Sequence, residues 1–151
     1  MTGPHSGRLT TVGYEGRTAE ELVELLVAKG VDLLADVRLT PLSRKPGLSK
    51  RRLAESLGAA GIDYLHLPAL GNPKDNREHF RTGDVGAGIA RFRSVMAVPS
   101  AADALDRLGE LARRRDVALL CFEREHARCH RQVVSDELVR RDPTLGPARL
   151  L

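Results

Sequence analysis

A chain of 151 residues, 42% apolar, 29% charged and carrying a net charge of +4, is long enough to bury a core without disulfides or structural metals. No apolar run approaches the roughly 20 residues of a membrane-crossing helix, and the polar start Met1 to Arg8 lacks the layout of a secretory signal. Two cysteines, Cys121 and Cys129, are too few for a secreted disulfide framework, so the expected setting is cytoplasmic, with reduced thiols and no membrane partner.

Taken in chain order, segment 1–8 is expected to be a flexible N-terminus, and 9–151 a single α/β domain. Leu9 to Gly13 reads as a first strand. Thr18-x-x-Glu21 is a capping-box pattern opening a helix that carries Leu22, Leu25 and Leu26 on one face and stops at Lys29-Gly30. Val31 to Val37 is an almost unbroken apolar run, as expected of a strand buried on both faces. Ser49 caps a second helix through Leu53 and Leu57, and Ile62 to Leu67 is the third strand.

Asn72 to Pro99 is punctuated by glycines and prolines and is expected to be an irregular excursion over the sheet edge, a lid with one short helix across Ile89 to Met96. Ser100-x-x-Asp103 opens a helix that ends in Arg113, Arg114 and Arg115, where positive charge suits the C-terminal dipole. Val117 to Cys121 is the fourth strand, a last helix runs from about Cys129 to Arg141, and Ala148 to Leu151 adds a short fifth strand. Strands alternating with helices predict an α/β fold, a three-layer Rossmann-like sandwich with a mostly parallel sheet of four to five strands.

In such a sheet the loops after the strands gather at one edge, where ligands bind. That rule collects Tyr14 and Glu15 after the first strand, Asp36, Arg38, Ser43 and Arg44 after the second, His66 on the third, and Cys121, Glu123 and Cys129-His130-Arg131 after the fourth. An arginine in the first turn of a helix is repelled by the positive end of the dipole. An anion docked on the exposed amides beside Arg131, with Arg38 or Arg44 around it, offsets that repulsion; pairing of Arg131 with Asp36 or Glu123 is the structural alternative.

The helix terminus also makes Cys129 a candidate nucleophile or redox thiol, whereas Cys121, ending an apolar strand, reads as structural. His66 reads as a hydrogen-bonded strand residue. The seven-residue gap between the cysteines, followed directly by His130, matches no usual zinc pairing and speaks against zinc. A divalent cation on Glu15, Asp36 and Glu123 is the alternative metal reading; no cofactor follows from the sequence.

Thr11-Val12-Gly13-Tyr14-Glu15-Gly16, Ala35-Asp36-Val37-Arg38 with Pro41, Ser43 and Arg44, Tyr64-Leu65-His66-Leu67-Pro68 with Leu70-Gly71, and Leu119-Leu120-Cys121-Phe122-Glu123 with Cys129-His130-Arg131 form four motifs. Together, in this order, they resemble the family called domain of unknown function 488. The resemblance implies the α/β fold and a shared polar edge with Asp36, Arg38, Glu123, Cys129, His130 and Arg131 in it, and it supplies no activity.

The favoured expectation is an anion-binding cleft at the C-terminal strand edge of an enzyme acting on a phosphorylated or other anionic substrate. Asp36, Glu123, Cys129 and His130 are its candidate catalytic residues, and Tyr14, Arg38, Ser43, Arg44 and Arg131 its binding residues. A nucleic-acid-binding module is the second reading, because segment 38–52 holds six basic residues and no acidic one. Cysteine-based redox chemistry is the third. The expected partner is thus an anionic small molecule or nucleic acid, and the chain a monomer or homodimer.

Overall fold

A computed structural model describes residues 7–151. The expected flexible segment 1–8 therefore lies mostly outside the described residues. Gly7, at its end, donates its N–H to the Arg113 carbonyl at 2.9 Å.

Among the described residues five strands form one sheet: β1 (Leu9–Gly13), β2 (Leu33–Asp36), β3 (Asp63–His66), β4 (Val117–Cys121) and β5 (Arg149–Leu150), in the spatial order β3-β2-β4-β1-β5. Every ladder is parallel. Each residue of β1, β2 and β4 is buried. This follows from sequence, since a central parallel strand is covered on both faces and its apolar run need not alternate.

Among the described residues six α-helices accompany the sheet: α1 (Ala19–Ala28), α2 (Lys50–Ala59), α3 (Lys74–Arg81), α4 (Val85–Met96), α5 (Pro99–Arg114) and α6 (Arg131–Arg141). Leu22 and Leu26 of α1 and Leu53 and Leu57 of α2 pack with Val12, Leu34, Ala118 and Leu120 on one face. On the other, Phe92 of α4, Leu105 and Leu108 of α5 and Val133, Val134 and Leu138 of α6 pack with Leu9, Leu33, Ala35 and Leu119. Each fully buried leucine in these layers contributes about 1.5–3 kcal/mol of hydrophobic stabilisation. The result is the expected three-layer α/β sandwich.

The capping box of α1 is present: the Thr18 hydroxyl accepts from the Glu21 N–H at 3.1 Å, and the Glu21 carboxylate accepts from the Thr18 N–H at 2.9 Å. Ser49 precedes α2 but makes no side-chain cap. Its hydroxyl accepts from the Ser43 N–H at 3.0 Å and donates to the Ser43 carbonyl at 3.2 Å, closing the loop after β2.

Segment 72–99 differs from the irregular excursion expected. It is a helical hairpin in which Phe80 of α3 packs so tightly on Gly88 of α4 that a Cβ there would come within 2.7 Å of the ring. Asn76 Nδ2 ties the pair, donating to Asn72 Oδ1 at 2.8 Å and the Gly88 carbonyl at 3.0 Å. Local glycines suggested loops; tertiary packing made one of them the point where two helices touch.

Candidate active site

β4 lies between β1 and β2, yet the chain leaves β1 and β2 towards α1 and α2 on one face, and β4 towards α6 on the other. Neighbouring strands whose exits diverge leave a crevice at their C-terminal ends, the switch point where open α/β sheets bind ligands. A cleft of about 330 Å³ occupies that place. Tyr14, Arg38, Leu39, Cys121, Glu123 and His130 line it from the strand ends, and Asn72, Arg77 and Arg81 from the α3 side. Beyond Phe122 and Glu123 a second hollow continues past Glu15 and Arg128.

Close approach of backbones builds this edge. A Cβ on Gly13 would fall 1.8 Å from the Glu123 carbonyl oxygen, and one on Gly71 would fall 2.4 Å from Leu39 Cα. Only glycine lets the loop after β4 lie on the end of β1, and the loop after β2 on the turn after β3.

Asp36 is fully buried and ends β2. Its carboxylate accepts from Arg38 Nε at 2.8 Å, Arg38 Nη2 at 2.7 Å, the Arg38 backbone N–H at 3.1 Å and the Tyr64 hydroxyl. Arg38 Nη1 donates to the Leu48 carbonyl at 2.7 Å, and the guanidinium lies over Tyr14, 5.3 Å from the ring centroid. Burial works against the Arg38 charge, but the bonds and charge of Asp36 outweigh it and raise its pKa. Burial and then the Asp36 bond raise the Tyr64 phenol likewise. Asp36, expected from sequence among the proton-handling residues, lies beneath the cleft and outside its lining, with both carboxylate oxygens engaged by Arg38 and Tyr64. Arg38, with three of its five N–H groups bonded in this way to side chain and backbone, reaches the lining itself.

The expected anion ligand Arg131 is placed elsewhere. It is fully buried at the first position of α6, and its Nη1 and Nη2 donate to the carbonyls of Val12 and Glu123. These two carbonyls thus offset the repulsion from the helix terminus, and Arg131 fastens β1 to the loop after β4. Neither Ser43 nor Arg44 lines the cleft: Ser43 closes its own loop, and Arg44 is exposed. His66 Nε2 bonds the Arg38 carbonyl at 2.8 Å, a structural role.

The basic segment 38–52 is likewise divided. Arg38 is buried, Lys45 Nζ donates to the Tyr14 and Arg17 carbonyls, and Arg51 faces Glu55 at 3.4 Å.

At the floor, Cys121 and Cys129 converge on His130. His130 Nδ1 is 3.7 Å from Cys121 Sγ and 3.6 Å from Cys129 Sγ, while Nε2 donates to the Val37 carbonyl at 2.8 Å. Cys121 Sγ is 3.4 Å from Glu123 Oε2. Of the two thiols, Cys121, read from sequence as structural, lines the cleft, and Cys129, read as the candidate nucleophile, does not. Cys121 reaches the cleft, and the hydrogen bond from Cys129, followed by the His130 charge, holds its thiol well below the usual range. Cys129 is 1% exposed, and burial together with its bond to Cys121 pushes it well up. Burial and the charge on Cys121 raise Glu123. Burial opposes the charge on His130, but the neighbouring Cys121 prevails and its pKa rises.

Cys121, Cys129 and His130 are also the group of three metal-ligating residues found among the described residues, their ligand atoms within 4.8 Å of one another. Asp36 is committed to Arg38 and Tyr64, and Glu15 Oε1 accepts from the Arg124 N–H at 3.0 Å, so the carboxylate cation site expected from sequence is not gathered. Sequence reasoning missed Arg77 and Arg81, which sit on a segment read as irregular. Cys121 is gathered to this edge by the sequence but reads there as structural, because it ends an apolar strand.

No helix among the described residues is long and apolar enough to cross a membrane. No curated protein matches the chain. A candidate phosphatase (DUF442) from Shewanella putrefaciens CN-32, solved as a crystal structure, is similar over 96% of this chain and 70% of its own, with a TM-score of 0.50 and 18% identity. At that identity the likeness is one of fold. The motifs that meet at the cleft fall largely within residues 18–138, the span matched by a family model, and the chain belongs to the family described as domain of unknown function DUF488.

Proposed function

We propose that the protein is an enzyme whose switch-point cleft holds the anionic group of a small substrate above Cys121, Glu123 and His130. The observation that carries this reading is the lining: Arg38, Arg77 and Arg81 line a hollow of about 330 Å³ that also holds the Cys121 thiol, an imidazole and a carboxylate. Arginines that line one hollow suit phosphate, sulfate or carboxylate oxygens, which guanidinium groups bind through paired charge-assisted bonds. Arg38 is already held by Asp36 and Arg81 faces Glu78 at 3.1 Å, which leaves Arg77 without such an ion-pair partner among the described residues. Phe122 and Leu39 on the rim supply apolar surface for the rest of a substrate. The description of the fold neighbour as a candidate phosphatase accords with a phosphorylated substrate.

Calorimetric titration with inorganic phosphate tests the reading. Saturable binding is expected, and Arg77→Ala with Arg81→Ala should weaken it about tenfold or more, since each charged hydrogen bond contributes about 1.5–3 kcal/mol. Phosphate binding unaltered in the double variant would reject the cleft as the anion site.

A further inference from the structure

We infer that Cys121, Cys129 and His130 form a zinc site at the floor of the cleft, with a fourth coordination position facing the cavity beside Glu123. The inference concerns the same cleft but does not depend on what anion, if any, the cleft holds.

Geometry is the first support. With Zn–S bonds of about 2.3 Å and Zn–N bonds of about 2.0–2.1 Å, a tetrahedral ion sets each sulfur about 3.6 Å from the imidazole nitrogen. The two separations here are 3.7 and 3.6 Å, and all three ligand atoms lie within 4.8 Å of one another. The two sulfur–nitrogen separations thus match two edges of one coordination tetrahedron, and the sulfur–sulfur edge, for which zinc needs about 3.8 Å, lies within the 4.8 Å that bounds the group.

The surroundings are the second support. A zinc-bound histidine ordinarily gives its other ring N–H to a carbonyl or carboxylate, which fixes the tautomer and turns the free lone pair to the metal. His130 does this through Nε2 and Val37, leaving Nδ1 facing the sulfurs. The backbone N–H of Arg131 donates to Cys129 Sγ at 3.5 Å, a bond that stabilises a metal-bound thiolate. Phe92 meets the His130 ring edge to face at 5.0 Å and closes the site from the core side.

The arrangement also has a direction. Cys121, Glu123 and His130 line the cleft and Cys129 does not, so Cys129 is the deep corner and the remaining corner of the tetrahedron is the one that would face the cavity. Three protein ligands and one open position are the mark of a reactive zinc site, whereas structural sites are closed by four. Soft thiolate and imidazole donors suit zinc and disfavour magnesium or calcium. The long gap between the cysteines in sequence does not count against this set, because the loop after β4 folds back and returns Cys129 to the end of the strand.

The test uses the full chain. Purified without chelator from zinc-supplemented medium, it should carry about one zinc per molecule by elemental mass spectrometry. After chelation under reducing conditions, titration with cobalt should produce a sulfur-to-metal charge-transfer band that saturates near about one equivalent and is abolished by zinc. Cys129→Ser should weaken the band and lower zinc affinity by about 100-fold or more in competition with a chromogenic chelator. A reduced wild-type chain that retains no metal and gives no thiolate–cobalt band would overturn the inference, whatever the folding of the variant. A normal band together with phosphate binding indifferent to Arg77 and Arg81 would reject the anion reading and leave the zinc site standing.

Discussion

At the scale of single residues, the cleft depends on charges that are buried and paired. Asp36 is fully buried and Arg38 only 6% exposed, so neither has water to replace a lost partner. Asp36→Asn retains the shape but removes the counter-charge of a buried guanidinium, and truncating one side of such a pair costs about 3–5 kcal/mol. Urea unfolding should show a midpoint lowered accordingly with an unchanged slope; an unaltered midpoint would mean that Arg38 has found another partner. Gly13 makes a different residue-level point. Its motif was legible in sequence, but the reason for glycine is the Glu123 carbonyl, which comes from a residue 110 positions later (123 less 13).

At the scale of elements, the loop after β4 determines which residues meet. A short 3₁₀ turn over His126–Arg128 bends it, and His126 Nδ1 bonds the Thr11 hydroxyl of β1 at 3.0 Å. Burial, and then the charge of Arg131, lowers the pKa of His126. The unfolded chain therefore binds this proton more readily than the folded one. Stability from this group is whole above the unfolded value of about 6.5 and declines as pH falls from there towards the lower folded value. Thermal melts between about pH 7 and 5 should show a steeper loss for the native protein than for His126→Asn, which lacks the titrating group. Equal slopes would place the pH dependence elsewhere. The α3–α4 hairpin shows the opposite limit of sequence reading at this scale. Its glycines mimic loop punctuation, and only the contact of Phe80 with Gly88 explains why a helix tolerates one there.

At the scale of the whole molecule, β4 holds the sheet together. β1 and β2 are not neighbours; each pairs with β4, which the chain makes after α5. Everything before it, about residues 1–115, has the β2–β3 pair but no partner for β1. That fragment is expected to give no cooperative thermal transition by circular dichroism, whereas the full chain gives one, because the apolar faces of β1 and β2 cannot be covered without the strand between them. A sigmoidal melt of the fragment would show that α5 and the first helices suffice.

The strands, the first two helices, the α/β class and the residues of the four motifs were determined by sequence alone. They rest on short-range periodicity and capping chemistry, such as the Thr18–Glu21 box, which adjacent residues settle among themselves. The placement and partners of each motif residue were decided by tertiary structure. Arg131 turned from a cleft ligand into a fastener because the carbonyls of Val12 in β1 and of Glu123 in the loop after β4 lie within its reach, and Cys121 replaced Cys129 at the cavity because the chain beyond β4 folds over the second thiol. Charge and thiol chemistry depend on burial and on distances of a few ångströms between residues far apart in the chain, and no local pattern carries those.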